Sequence, residues 1–227
     1  MNTPSLCRVC HRWPSEVICS DCRGRFAKEV RRCEGCALPL PACAHASPAL
    51  CGHCLLHPGP LKACVAAVDY AYPWDSLIAD LKFRDDPAIA RHMVQLLFNS
   101  ASSRDFVSTC DALIPMPLSG QRLRERGFNQ AERIAHALNP DKLDRLSLLR
   151  VRHTRAQSDC SKAERLHNVR HAFAVEPKRL SKLRGQHLLL VDDVMTTGAS
   201  LTQAALALLR AGARQVSAIV IARTPAP

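Results

Sequence analysis

Apolar and polar positions change rhythm along the chain. Beyond Leu61, runs with period two alternate with runs spaced at three and four residues, the marks of strands and amphipathic helices. Cys64 to Tyr72 reads as a strand, and Asp75 to Phe83 as a helix with Leu77, Ile78 and Leu81 on one side. Ala112 to Pro115 is a short buried strand closed by proline, and a helix is expected from Gln121 to Leu138 with Ile134, Ala135 and Leu138 inward. His187 to Val191, Leu201 to Ala211 and Gln215 to Ile221 follow as strand, helix and strand. Such alternation predicts an α/β fold, a mainly parallel sheet flanked by helices.

The front of the chain has a different texture. Cysteine, proline and histidine crowd Cys7 to Pro60 and apolar periodicity is weak. A boundary is therefore expected at His57-Pro-Gly-Pro60, with a small module over residues 1–60 and the α/β domain over residues 61–227.

Composition narrows the setting. An apolar fraction of 47% in 227 residues suffices for a real core. The longest apolar stretches, such as Ala204 to Leu209, are too short for a bilayer span, and Met1 to Arg12 has no apolar signal core. A cytoplasmic protein without membrane insertion is expected, in which the twelve cysteines stay reduced. The formal charge of +11 favours a polyanionic partner, either nucleic acid or a multiply phosphorylated small molecule.

Eight of those cysteines form four Cys-x-x-Cys units, Cys7/Cys10, Cys19/Cys22, Cys33/Cys36 and Cys51/Cys54, a repeat that implies a duplicated metal module. They supply thiolates for two tetrahedral four-cysteine zinc sites, and zinc would replace the apolar core that the front lacks. Sequential pairing would put Cys7, Cys10, Cys19 and Cys22 on one ion and Cys33, Cys36, Cys51 and Cys54 on the other, as in a double zinc ribbon; interleaved pairing stays open. Cys43, Cys64, Cys110 and Cys160 have no partner at this spacing and read as packed thiols.

The densest chemistry lies at Leu188 to Ser200. Ser200 and Gln203 have capping-box spacing, so a helix is expected to begin there, after a strand that ends at Val191. The turn between them offers free backbone N–H groups and the positive end of a helix dipole. Thr196 and Thr197 add hydroxyls, and Gly198 lets the backbone approach a phosphate closely. Asp192 and Asp193 would repel a second phosphate, so they call for hydroxyls or a cation beside the first. Ribose 5-phosphate presents both groups. A second loop follows Ile114-Pro-Met-Pro117, where Arg122, Arg124 and Arg126 can reach anionic oxygens.

The string Val191-Asp-Asp-Val-Met-Thr-Thr-Gly-Ala-Ser200 resembles the signature by which type I phosphoribosyltransferases bind 5-phosphoribosyl 1-pyrophosphate (PRPP). That similarity implies that Asp192 and Asp193 hold the ribose hydroxyls as the catalytic pair and that Thr196, Thr197, Gly198, Ala199 and Ser200 hold the 5-phosphate. It also implies magnesium carried mainly by the ligand's own oxygens. The string Arg126-Gly-Phe-Asn-Gln130, the later Arg152-His-Thr-Arg155-Ala-Gln157, the residues Tyr70, Leu77, Ile78, Lys82 and Phe83, and the cysteine-rich front together resemble the ComF family, including its GntX-like members. Arg122, Arg126 and Arg155 become further PRPP-binding candidates. Arg150 to Arg184 holds ten Lys or Arg against three acidic residues, and the resemblance makes it a flexible hood over pyrophosphate.

Two functions are weighed. The ComF resemblance implies one, a phosphoribosyltransferase-like protein that binds PRPP and serves competence, DNA uptake or the use of external DNA, with competence or DNA-processing proteins as partners. The other is a non-catalytic module for single-stranded DNA, in which the ribose-phosphate pocket is a sensor or docking site. An aromatic content of 4% speaks against a base-stacking platform.

Overall fold

A computed structural model describes residues 5–13, 15–41, 47–83, 87–99, 101–151 and 172–225. Two short helices, α1 (Ser20–Phe26) and α2 (Gly52–Leu56), lie in the cysteine-rich front. Strand β1 (Cys64–Asp69) leads to α3 (Trp74–Phe83), α4 (Pro87–Phe98) and α5 (Ala101–Thr109). After β2 (Ala112–Pro115) come α6 (Gly120–Arg126) and α7 (Gln130–Leu138). Short strands β3 (Leu148–Arg150) and β4 (Phe173–Val175) pair antiparallel as a side ribbon. Helix α8 (Leu180–Leu183), strand β5 (His187–Met195), helix α9 (Ala199–Arg210) and strand β6 (Gln215–Arg223) complete the order.

The main sheet runs β1-β6-β5-β2 with every pairing parallel, as the alternating pattern predicts. Successive side chains of a strand point to opposite faces, so a doubly covered sheet needs continuous apolar strands. Leu189, Val191, Ile219 and Ile221 pack under α3, α4 and α7, whereas Leu188, Leu190, Ala218 and Val220 pack under α9. Because β6 and β2 flank β5 on opposite sides, the chain leaves β5 away from β2, and a crevice opens at the carboxyl ends of the strands.

Several boundaries differ from expectation. Strand β5 runs through the acid pair to Met195, since β6 keeps pairing with it as far as Met195 and Arg223. The helix expected over Gln121 to Leu138 is two helices. Gly127, with φ of 81°, closes α6 in the left-handed region, and the Asn129 side chain caps α7 by accepting the Ala131 N–H at 3.0 Å. The expected Ser200–Gln203 capping box does not start α9, whose N-cap is Gly198 with φ of 79°.

The front does not stand apart from the domain. Cys7, Ile18, Cys19 and Cys22 join the apolar cluster of α3 and α4, and the Trp74 indole N–H donates to the Phe26 carbonyl at 3.0 Å. No helix among the described residues is long and apolar enough to cross a membrane.

Candidate functional site

Each half of the front is built the same way. In the first, the Cys7 N–H donates to the Arg12 carbonyl and the His11 N–H returns to the Cys7 carbonyl; in the second, Cys33 and Leu38, then Ala37 and Cys33, repeat both bonds. His11 (φ 59°) and Ala37 (φ 57°) occupy the same left-handed turn position. The later cysteine pair of each half sits at a helix start, with Cys19 and Cys51 as the N-caps of α1 and α2. Donors to sulfur recur as well, from Cys19 N–H to Cys7 Sγ at 3.5 Å and from Cys51 N–H to Cys33 Sγ at 3.2 Å.

The sulfurs gather as Cys7, Cys10, Cys19 and Cys22, and as Cys33, Cys36, Cys51 and Cys54, which is the sequential grouping. A tetrahedron with zinc–sulfur arms of about 2.3 Å has edges of about 3.8 Å. The Cys7–Cys22 separation is 3.9 Å, and Cys10–Cys19 and Cys36–Cys51 are each 3.7 Å, so the clusters can hold an ion of that size. Every described cysteine is a free thiol. Cys43 and Cys160 lie outside the described residues; burial pushes the Cys64 thiol up to about 12, which suits a packed cysteine rather than a ligand.

The second site is a cavity of about 260 Å³ at the carboxyl ends of β1, β2 and β5. Asp192, Asp193 and every residue from Thr196 to Ser200 line it, together with Arg122 and Arg126 from α6. Arg155 lies outside the described residues, as does most of the expected hood. Four further polar lining residues carry no site assignment from sequence: Tyr70, Lys82, Gln130 and Arg150. Lys82 does carry a signal, since it continues the Trp74–Ile78 stripe of α3 and is therefore a charge on an apolar face. Arg150 depends on the β3–β4 pairing, which no local pattern announces.

The acid pair is asymmetric. Asp193 falls in the same alternation as Leu189 and Val191, on the face covered by α3, where Lys82 Nζ meets its Oδ2 at 2.9 Å. Its Oδ1 accepts the Val194 N–H at 2.8 Å, while Asp192 Oδ1 accepts the Asp193 N–H at 2.9 Å. Burial, then the adjacent charge of Asp193, raises the Asp192 pKa well above the usual carboxylate range. The free protein thus holds a disfavoured carboxylate beside a cation-rich wall.

That wall is itself desolvated. Burial lowers the pKa of Arg126, whose guanidinium lies 5.6 Å from the Phe83 ring centre and donates to Gln130 Oε1. Burial, then the nearby charge of Arg122, lowers that of Arg150, set over Phe173 at 5.6 Å. Crowded, poorly hydrated cations gain more from a bound polyanion than solvated ones do.

Between acids and α9 the backbone turns sharply. Thr197 Oγ1 accepts the Ala199 N–H at 3.3 Å, and Thr196 and Thr197 are exposed. Gly198 has φ of 79°, which favours glycine, and a Cβ there would press on the flexible end of the Met195 side chain. The turn therefore offers hydroxyls and the start of a 12-residue helix next to two carboxylates.

Residues 124–227 match the family described as phosphoribosyl transferase domain. Over 99% of both chains, the sequence is 34% identical to the DNA utilization protein YhgH of Salmonella typhimurium. It is 29% identical to competence protein F of Haemophilus influenzae over 90% of this chain and 96% of that one. Competence protein ComFC of Bacillus subtilis is also 29% identical, over 93% and 86%.

Proposed function

The chain belongs to the ComF family, and on that premise we propose that its cavity binds PRPP and that the protein works as a phosphoribosyltransferase-like component of DNA utilization. One observation carries the reading: a carboxylate pair, a phosphate-sized turn at a helix start and several half-buried cations line one cavity of about 260 Å³. A lone phosphate has no use for Asp192 and Asp193, and a neutral sugar has none for Arg122, Arg126 and Arg150. PRPP has use for all of them.

In this assignment Thr196, Thr197, Gly198, Ala199 and Ser200 receive the 5-phosphate through backbone N–H groups and hydroxyls. Asp192 and Asp193 accept hydrogen bonds from the ribose 2′ and 3′ hydroxyls, which relieves the repulsion between the two carboxylates. Arg122, Arg126 and Arg150 face the pyrophosphate, and Arg155 would join them from the segment beyond β3. Magnesium, carried by the ligand's oxygens, would neutralise part of the pyrophosphate charge. If a transfer follows, the acceptor's lone pair forms a bond to ribose C1, the C1–O bond breaks, and pyrophosphate leaves with the electron pair while the acceptor gives up a proton. The cations then stabilise the charge that develops on the leaving group.

The two four-cysteine clusters fit two structural zinc ions, and eight thiolates kept reduced suit a cytoplasmic location. The formal charge of +11 supports contact with DNA during the process that the relatives' names describe.

Titration calorimetry with PRPP and magnesium is the test. The intact protein should bind, and the double variant Asp192→Asn/Asp193→Asn should lose that binding; equal affinity of the two proteins would remove the proposal. Pyrophosphate release in the presence of nucleobases and DNA fragments then separates a transferase from a binding protein.

A further inference from the structure

Arg223, at the last position of β6, is 6% exposed and serves neither the acid pair nor the cavity wall. Its guanidinium connects three segments instead. Nε–H donates to the carbonyl of Cys36, a member of the second four-cysteine cluster, at 2.8 Å. Nη1 donates to the carbonyl of Met195 at 3.1 Å, to that of Thr196, and to that of Thr224 at 2.7 Å. A buried cation is tolerable only when its donors are satisfied, and a planar fork can satisfy them in several directions at once.

The consequence for the turn follows from peptide geometry. In a trans peptide the carbonyl and the next N–H point in opposite directions. The Met195 carbonyl is shared between Arg223 and the Thr224 backbone N–H at 3.0 Å, whereas the Thr196 carbonyl is drawn inward by Arg223, so the Thr197 N–H is turned the other way, toward the cavity that residue lines. An amide that would face a phosphate is oriented by a side chain that never touches it.

The other end of this bridge is anchored by the metal module. The turn from Cys33 to Leu38 meets the sheet through Glu34, whose carbonyl accepts the Cys64 N–H at 2.6 Å, and through Arg32, which pairs with Asp69 at 2.7 Å. Ala37 is buried in the cluster under α9. Where the Cys36 carbonyl sits is decided by how Cys33 and Cys36 are held, and that is the task of an ion at the cluster.

We propose that Arg223 is a positioning residue that couples the second four-cysteine module to the ribose-phosphate turn, so that metal at Cys33, Cys36, Cys51 and Cys54 and ligand at Thr196–Ser200 strengthen each other's binding. The ligand half of this statement rests on the PRPP reading. Coupling between two sites is reciprocal, with factors of about 5- to 150-fold in known cases. The first cluster, which rests on α3, takes no part.

Three measurements on the full-length zinc-loaded protein test it. Hydrogen exchange at the amides of residues 196–200 needs no ligand, and it should quicken in Arg223→Met and after chelation of the second cluster's ion. Calorimetry with magnesium PRPP should show affinity about tenfold lower in Arg223→Met. With a competing chelator and saturating ribose 5-phosphate, the sugar should tighten zinc at one cluster and not at the other. Arg223→Lys, which keeps the charge but cannot span Cys36 and the turn together, should recover part of the PRPP affinity while the zinc effect stays lost. Unchanged exchange in Arg223→Met would end the proposal even if PRPP binds. If exchange quickens in a protein that does not bind PRPP, the coupling stands and the PRPP reading falls.

Discussion

The two four-cysteine modules have one local design and two different foundations. Both use a Cys-x-x-Cys turn with a left-handed residue, then a second pair at a helix start. The first rests on α3: Ile18 and Cys22 enter the apolar cluster there, Trp74 binds the Phe26 carbonyl, and Phe26 meets Tyr72 edge to face at 5.6 Å. The second rests on the strand ends, with bonds from Cys64 and Arg223 and an ion pair to Asp69. The first foundation is mainly apolar and the carbonyl that Trp74 orients does not line the cavity, whereas the second is mainly polar and fixes a carbonyl of the turn that does. The first module is thus built for stability and the second for placing the turn beside it.

Removing a ligand from each cluster gives the largest effects and the sharpest contrast. Structural zinc binds thiolate peptides with about 10–16 kcal/mol, so one lost sulfur should disorder its module. Cys10→Ser should lower Tm more, because its module shares the core under α3, yet leave PRPP affinity of the remaining folded protein within about twofold. Cys36→Ser should cost less Tm and weaken PRPP binding about tenfold. Calorimetry of unfolding and of binding on both variants decides; equal losses of affinity would erase the distinction.

Gly198→Ala acts next, inside the turn that the second module supports. The left-handed backbone should cost about 1–3 kcal/mol and reduce PRPP binding, while the Met195 side-chain end can move aside. Gly198→Asn, whose side chain tolerates the left-handed region better, should cost less Tm than Gly198→Ala in thermal melts. An equal loss would mean that the positive φ is not the source of the cost.

Trp74→Phe probes the other foundation. Losing the indole donor leaves a part-buried Phe26 carbonyl without that partner, at about 1 kcal/mol by denaturant unfolding. PRPP affinity should not move. A shift in affinity comparable with that of Cys36→Ser would show that the first module also reaches the cavity.

How far these features can be read from the chain depends on their range. The sheet strands, the Cys-x-x-Cys repeat and the Asp192–Ser200 string are local patterns, and each is visible in consecutive residues. Helix α4 is legible in principle from Ala90, Met93, Val94 and Leu97 at helical spacing, although the elements expected from sequence stop at Phe83 and resume only at Ala112. The break between α6 and α7 is signalled by Gly127 ahead of Asn129, but the strong helix formers from Gln121 to Arg126, which bury nothing, lead into the apolar stripe of α7 and hide it. Arg150 and Arg223 are not legible. Each acts through neighbours far away in sequence, across β3–β4 for the first and through Cys36, 187 residues away, for the second. The capping box at Ser200 fails for a related reason, because Gly198 starts the helix in a conformation that places amides rather than covering them.

The smallest effect concerns Asp192, and it runs opposite to the others. Burial, then the charge of Asp193, raises its pKa in the folded chain, so the folded state keeps a proton at pH values where the unfolded state has lost it. Stability from this group is therefore fully present below the ordinary carboxylate pKa and disappears as pH rises through the raised value. Asn resembles the protonated form at every pH. Asp192→Asn should flatten this part of the Tm profile and leave the variant, at neutral pH, as stable as the parent or slightly more so, while its PRPP binding is lost. Melting curves from acid to neutral pH provide the check: a variant less stable than the parent across the whole range would show that Asp192 supports the fold instead of burdening it. The same profile should persist in Cys10→Ser, since the first module lies on the far foundation, and should change in Cys36→Ser as the turn beside Asp192 loosens.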